Sequence, residues 1–146
     1  MHRPYVVIHQ ARPSHQLFLH QACNALGFFD VRVTHDLGDL SACLVRQGPI
    51  DLLILDHALA TSTGLALLEK IQRRRASRAL LFVGSAADAG PDLAREARRR
   101  GLWVLAELAW PLSMPALQQA LHGLGGLSAR HAERRIQTVM SPTHAH

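Results

Sequence analysis

Asp56 is the first candidate for chemistry in this chain, because it is a lone carboxylate at the end of an apolar run, residues 52–55. Four consecutive aliphatic residues predict a strand that is buried on both faces of a parallel sheet. Sheets of that kind bind ligands outside the carboxyl ends of their strands, where the strand order reverses. Three other positions that follow or end predicted strands are therefore expected near the Asp56 carboxylate: His9, Ser85 and Trp110.

The elements that must position these residues alternate along the chain. Short apolar runs predict strands at residues 5–8, 31–34, 52–55, 80–83 and 103–105. Amphipathic stretches predict helices that begin near Ser14, at Asp36 or Asp39, at Gly64, near Pro91 and at Ser113. Five repeats of a strand and a helix predict an α/β fold, with a doubly wound five-stranded parallel sheet.

The length of 146 residues fits one domain, which we place at residues 1–124. Hydrophobic residues make up 48% of the chain, enough to form a real core. The pair Gly125-Gly126 ends the last predicted helix and begins a basic tail, residues 125–146. Residues 129–140 of the tail can form a short helix, and a frayed terminus, a linker or a partner-docking segment all fit its composition.

The cellular compartment is predicted from what the sequence lacks. No apolar run approaches the roughly 18 residues of a membrane-spanning helix, and the first residues lack the pattern of a signal peptide. We therefore expect a cytoplasmic protein that has no contact with a membrane. Cys23 and Cys43 lie on apolar helix faces without CxxC spacing. Two buried thiols are favoured over a disulfide or a redox pair.

The formal net charge of +5 is carried almost wholly by arginine, and Lys70 is the only lysine. Two arginine clusters stand out, residues 73–78 and residues 95–100. Each falls where a helix is predicted to end, and cations there complement the helix dipole. A protein-docking surface and a nucleic-acid surface remain alternatives, although no helix-turn-helix or zinc-finger motif supports binding to nucleic acid.

Residues 51–69, DLLILDHALATSTGLALLE, resemble the third strand and the following helix of response-regulator receiver domains. The shared pattern is an apolar strand, the acidic residue Asp56, a loop, and Gly64 before a leucine-rich helix. The similarity extends over roughly residues 4–124. It implies a flavodoxin-like fold of five βα units and a place in two-component signalling of the bacterial type, where phosphorelays operate.

In receiver domains, chemistry needs several groups around the phosphoacceptor carboxylate. The resemblance makes Asp56 the acceptor equivalent and Ser85 the hydroxyl that contacts the phosphoryl group. The acidic pair that holds Mg²⁺ is replaced by His9 and Gln10, neither of which is a hard anionic ligand. The lysine that precedes a proline is replaced by Trp110, followed by Pro111. Trp110 is expected to fill the pocket around Asp56 or to form an exposed interaction anchor.

These replacements predict a degenerate receiver, because phosphoryl transfer depends on cations that neutralise charge on the transferred group. We expect a non-enzymatic signalling module without cofactor or metal, in which Asp56 has a structural role. A metal site formed by His9, Asp56 and His57 is not expected, since neighbouring strand residues point to opposite faces.

The expected partner is a protein, or a second copy of the chain, bound through the fourth helix, fifth strand and fifth helix that receiver domains commonly use. An output domain downstream is also compatible with the sequence. Two alternatives remain open. One is a phosphorylatable receiver that uses Asp56 with Mg²⁺, and the other is a nucleic-acid-associated regulator that uses the arginine clusters.

Overall fold

A computed structural model describes residues 3–46, 48–85 and 92–124. Five parallel strands form one sheet in the order β2-β1-β3-β4-β5. This arrangement confirms the predicted flavodoxin-like doubly wound sheet, and the strand order reverses between β1 and β3. The strands are β1 Tyr5–His9, β2 Asp30–Thr34, β3 Ile50–Asp56, β4 Ser77–Val83 and β5 Val104–Leu108.

Helices follow each strand, as the alternating pattern predicts. Residues 114–124 are helical and form α5, which begins one residue after Ser113. The predicted tail, residues 125–146, lies outside the described residues. The other helices are α1 Pro13–Ala25, α2 Leu37–Val45, α3 Thr61–Arg74 and α4 Leu93–Arg99.

Helix α3 begins three residues before Gly64, the position at which the sequence predicts its start. Gly64 is a buried residue inside the helix, at the contact with α4. A Cβ atom built on Gly64 would lie 2.4 Å from Cδ1 of Leu93. The glycine therefore permits a close approach of the two helices and does not mark a helix start.

The N-terminus of α2 is capped by Asp36, one of the two residues between which the sequence left a choice. The Asp36 carboxylate accepts a hydrogen bond from the backbone N–H of Asp39 at 2.7 Å. The Asp39 side chain accepts from the Arg32 guanidinium at 2.7 Å instead. Asp36 is the cap because its extended backbone turns its carboxylate back over the first turn.

The core lies in two layers, one on each face of the sheet. Strand β3 contributes to both, because its side chains alternate: Leu53 and Leu55 pack with α2, α3 and α4, while Leu52 and Ile54 pack with α1 and α5. All four are at most 1% exposed. Because both faces of the strand are buried, its sequence is a continuous apolar run. Among the described residues, no helix is long and apolar enough to cross a membrane.

Candidate functional site

Asp56 lies at the carboxyl end of β3, beside the point where the strand order reverses. Both of its carboxylate oxygens accept hydrogen bonds from backbone N–H groups. Oδ1 accepts from Ala58 at 2.9 Å and Oδ2 accepts from Ala11 at 3.2 Å. The carboxylate thus ties the loop after β1 to the loop after β3.

His9, at the end of β1, is 9% exposed, and its Nδ1 lies 2.7 Å from the Thr34 hydroxyl. The Thr34 hydroxyl itself donates to the Ile8 carbonyl at 3.2 Å, so the hydrogen-bond network assigns the imidazole proton to Nδ1. Burial lowers the pKa of His9, and the nearby Asp56 charge acts in the opposite direction. His9 is therefore a neutral side chain near neutral pH and supplies no anionic ligand for Mg²⁺.

Gln10 is 2% exposed, and neither atom of its side-chain amide has a hydrogen-bond partner among the described residues. Its main-chain carbonyl accepts from Gln16 Nε2 at 2.7 Å. The neighbouring Ala11 N–H is the group that reaches Asp56. Both positions of the expected acidic pair thus carry uncharged side chains.

Trp110 packs against α1. Its ring stacks on His15 at 3.8 Å between centroids and 14° between planes, and it meets the edge of Phe18 at 5.7 Å. The indole is half-buried by these contacts, and the Trp110–Pro111 peptide bond is cis. Trp110 therefore presents an uncharged ring that contacts helix α1.

Ser85 follows β4 and is exposed. The preceding residue, Gly84, has a φ of +118°, which favours glycine, and a Cβ atom built on it would lie 3.4 Å from Asp56 Oδ1. The backbone after β4 therefore passes close to the Asp56 carboxylate. Residues 86–91, which follow Ser85, lie outside the described residues.

No model of a known protein family matches the chain, and no curated protein matches its sequence. Solved structures do match its fold. A pilus assembly-related protein from Burkholderia pseudomallei is 26% identical, covers 85% of this chain and 90% of its own, and superposes with a TM-score of 0.62. A response regulator from Colwellia psychrerythraea is 19% identical over 88% of this chain and 99% of its own, with a TM-score of 0.66.

The signal receiver domain of a Luxo repressor protein from Vibrio parahaemolyticus is 20% identical over 93% of this chain and 98% of its own, with a TM-score of 0.69. The chain has a receiver-domain fold. The resemblance of residues 51–69 is thus accompanied by the same architecture over nearly the whole described chain. It is called a receiver-like domain from here on, because its fold is that of a receiver.

A second polar cluster of this receiver-like domain lies on the other face of the sheet, and the sequence analysis missed it. His57, 4% exposed, directs Nε2 toward the Glu107 carboxylate at 2.8 Å and the Asp92 carboxylate at 3.5 Å. Arg98 donates to the second Glu107 oxygen at 2.7 Å. The hydrogen bond from Arg98, followed by that from His57, lowers the pKa of Glu107.

His57 is 50 residues from Glu107 in the sequence, and no motif connects it with the other three residues. The only signal was the alternation of side chains along β3, which places Asp56 and His57 on opposite faces. Their different hydrogen-bond partners agree with that expectation. The sequence did not show that α4 and β5 bring two carboxylates to the His57 ring.

The second arginine cluster of the receiver-like domain is engaged in contacts within the fold. Arg100 lies 3.2 Å from Glu96, and its backbone carbonyl accepts from Gln72 of α3. Arg99 lies 3.5 Å from Glu96, and Arg98 is bonded to Glu107. These pairs favour the interpretation of the cluster as a charged helix end over a surface reserved for nucleic acid.

Proposed function

We propose that this receiver-like domain is a non-enzymatic signalling module that acts by binding a protein, and that Asp56 is not phosphorylated in the usual Mg²⁺-dependent way. The observation that carries the proposal is that the positions which the resemblance assigns to the charged groups of a receiver carry uncharged side chains. The resemblance assigns His9 and Gln10 to the acidic pair that binds Mg²⁺, and Trp110 to the lysine.

The physical argument concerns charge. A phosphoryl group that approaches Asp56 places its anionic oxygens beside a carboxylate, and receiver chemistry relies on a metal ion and a lysine to offset that repulsion. Mg²⁺ prefers several oxygen ligands with negative charge. Asp56 offers one carboxylate, whose two oxygens are already hydrogen-bonded to backbone N–H groups.

The proposed binding surface is formed by α4, β5 and α5. Its α4 part carries exposed arginines: Arg98 and Arg99 are paired with Glu107 and Glu96, and Arg95 has no ion pair among the described residues. A positively charged surface of this kind favours an acidic protein partner, because complementary charge speeds encounter and selects among partners. The same charge disfavours self-association of two identical α4 surfaces. We therefore propose that the partner is a different protein and not a second copy of this chain.

Incubation with Mg²⁺ and acetyl phosphate, followed by intact-mass measurement, tests the phosphorylation part. We expect no phosphoryl adduct on the natural chain. The matched variant restores the usual groups, with His9→Glu, Gln10→Asp and Trp110→Lys, and should gain an adduct that is lost when Asp56→Asn is added. An adduct on the natural chain that disappears in Asp56→Asn would overturn the proposal.

The binding surface is tested by purifying tagged chain from its source cells together with bound proteins. The double variant Arg95→Glu, Arg99→Glu should lose a partner that the natural chain retains. The matched control reverses two charges at the end of α3, Arg73→Glu and Arg74→Glu, and should retain it. Equal retention in both double variants would show that the partner binds elsewhere.

A second candidate function is participation in pilus assembly. The observation that favours it is the 26% identity, over 85% of this chain, to a pilus assembly-related protein. In this case the acidic partner would be a component of a pilus assembly system. Deletion of the gene should then abolish surface pili, as counted by electron microscopy, and a complementing copy should restore them. Normal pili in the deletion strain would exclude this function.

A further inference from the structure

We propose that His57, Asp92 and Glu107 form a binding site for a divalent transition-metal ion such as Zn²⁺. One ligand atom from each residue lies within 4.8 Å of the other two. The three come from different elements: His57 follows β3, Asp92 caps the N-terminus of α4, and Glu107 lies on β5. This site is distinct from the Asp56 site and lies on the opposite face of the sheet.

The separation of the His57 and Asp92 ligand atoms fits a tetrahedral ion, whereas that of His57 and Glu107 is shorter. Zn²⁺ binds histidine nitrogen and carboxylate oxygen at about 2.0–2.1 Å, so two of its ligands lie about 3.3–3.4 Å apart. The distance from His57 Nε2 to Asp92 Oδ1 is 3.5 Å. The distance from Nε2 to Glu107 Oε1 is 2.8 Å and must open by about 0.5 Å. A small rotation of the Glu107 side chain, which is 35% exposed, provides that movement.

The charge of the cluster also favours a cation. Two carboxylates face the same imidazole nitrogen, Nε2 of His57. This nitrogen carries at most one proton, so it can donate a well-aligned hydrogen bond to only one of them. Arg98 offsets part of the negative charge, but it binds Glu107 Oε2 and leaves Oε1 directed at His57. With a neutral imidazole the four side chains sum to one negative charge. A divalent ion is therefore attracted, and Arg98 holds Glu107 in position as an outer support.

Two of the three ligands, His57 and Asp92, are held in place before any ion binds. The His57 ring is 4% exposed and packs against Phe82 at 5.2 Å between centroids, and the His57 backbone N–H donates to the Val83 carbonyl. Asp92 is oriented by the hydrogen bonds that its Oδ1 accepts from the first turn of α4. Preorganised ligands of this kind lose little conformational freedom on binding.

The three ligand side chains favour Zn²⁺ over harder cations, and the two carboxylates leave the site open to water. Among the described residues, no group bonds His57 Nδ1, so nothing there prevents the proton from residing on Nδ1 while Nε2 binds metal. Imidazole with carboxylates suits Zn²⁺ better than Mg²⁺ or Ca²⁺. The two carboxylates are 42% and 35% exposed, so water can complete a four-coordinate site.

The test is titration of the full chain with ZnCl₂ by calorimetry, with the Co²⁺ absorption spectrum as a second readout of coordination. Asp92→Asn keeps an oxygen for the helix cap, and Glu107→Gln keeps a donor and an acceptor near His57. Each should weaken Zn²⁺ binding at least about tenfold, with circular dichroism showing that the fold is intact. His57→Gln should abolish Zn²⁺ binding. If that variant fails to fold, the loss of Zn²⁺ affinity in Asp92→Asn and Glu107→Gln still tests the site.

Other histidines provide the controls. The double variant His144→Gln, His146→Gln removes two histidines from the tail, and His35→Gln removes an exposed histidine of the domain. Both should bind Zn²⁺ like the natural chain and show the same rise in melting temperature when it is added. The proposal is overturned if Asp92→Asn and Glu107→Gln bind Zn²⁺ unchanged, or if binding is lost in the tail variant alone.

Discussion

Asp56 and His57 are adjacent in the chain, yet they serve opposite faces of the sheet. Asp56 accepts two backbone N–H groups from neighbouring loops, while His57 reaches a carboxylate on β5. The strand alternation that separates them also separates two kinds of site. A single substitution at either position should therefore affect one site and leave the other in place.

His9 makes the stability of the fold dependent on pH. Burial lowers its pKa from the usual 6.5, so the unfolded chain binds a proton at this residue before the folded chain does. The free energy of unfolding should therefore fall as the pH drops through about 6.5, until the folded His9 is protonated as well. Urea titrations from pH 7.5 to 5 should show a shallower decline in His9→Asn, which keeps a donor for Thr34.

The control for this pH prediction is His35→Asn, because His35 is exposed in the folded domain. That variant should follow the natural chain across the same pH range. If His9→Asn and the natural chain decline in parallel, His9 is not the residue that links protonation to folding.

Gln10 has a buried amide without a partner among the described residues, and an unsatisfied buried polar group costs stability. Gln10→Leu should therefore raise the free energy of unfolding by about 1 kcal/mol, as measured by urea denaturation. Gln118→Leu, at an exposed position of α5, should change it by less than about 0.5 kcal/mol. A clear loss of stability in Gln10→Leu would mean that the amide is bonded in the folded chain.

At the scale of elements, the contact between α3 and α4 depends on the absence of a side chain. Gly64 lies inside α3, and Leu93 at the start of α4 packs directly against its Cα. Leu93 is 3% exposed and follows Asp92, the cap of α4. Close packing of these helices thus positions one of the three proposed metal ligands.

Gly64→Ala should destabilise the fold by about 1–3 kcal/mol, because the added methyl overlaps Leu93 in a packed interior. In a Leu93→Ala background the overlap disappears, and the same change should become neutral or stabilising, since alanine is the better helix former. Thermal denaturation of the four chains of this double-mutant cycle measures the coupling. Additive effects would show that the two side chains do not meet.

At the scale of the whole molecule, the sheet divides the core into two layers, and strands such as β3 contribute side chains to both. Cys23 belongs to the layer with α1 and α5, and Cys43 to the layer with α2, α3 and α4. Both thiols are free and buried, as the sequence predicts. A disulfide between them would have to cross the sheet, which explains why the two do not pair.

Both thiols should react with an aromatic disulfide reagent only after the fold opens. Burial raises the pKa of the Cys23 thiol to about 12, and the thiolate is the reactive form. Cys43 is 3% exposed. The rate of thiol release should therefore rise with urea in step with the loss of circular dichroism. Rapid labelling of either cysteine without urea would show that its layer opens locally.

The sequence determined which segments form strands and helices, and it located Asp56 at a strand end, because hydrophobic periodicity is a local property. It also showed the receiver-like pattern of residues 51–69, from which His9, Gln10 and Trp110 are predicted to replace charged groups of the family. Some boundaries shifted, as at Gly64, since a glycine that ends or begins a helix looks the same in sequence as one that lets two helices approach.

Only the tertiary structure decided which side chains meet. The stacking of Trp110 on His15 and the convergence of Asp92 and Glu107 on His57 join residues from different elements. Such contacts depend on the strand order and on the register of helices against the sheet, which local patterns do not encode. The sequence therefore determined the fold and the place of Asp56 at the end of β3, whereas the cluster on the opposite face exists only because packing brings α4 and β5 beside that end.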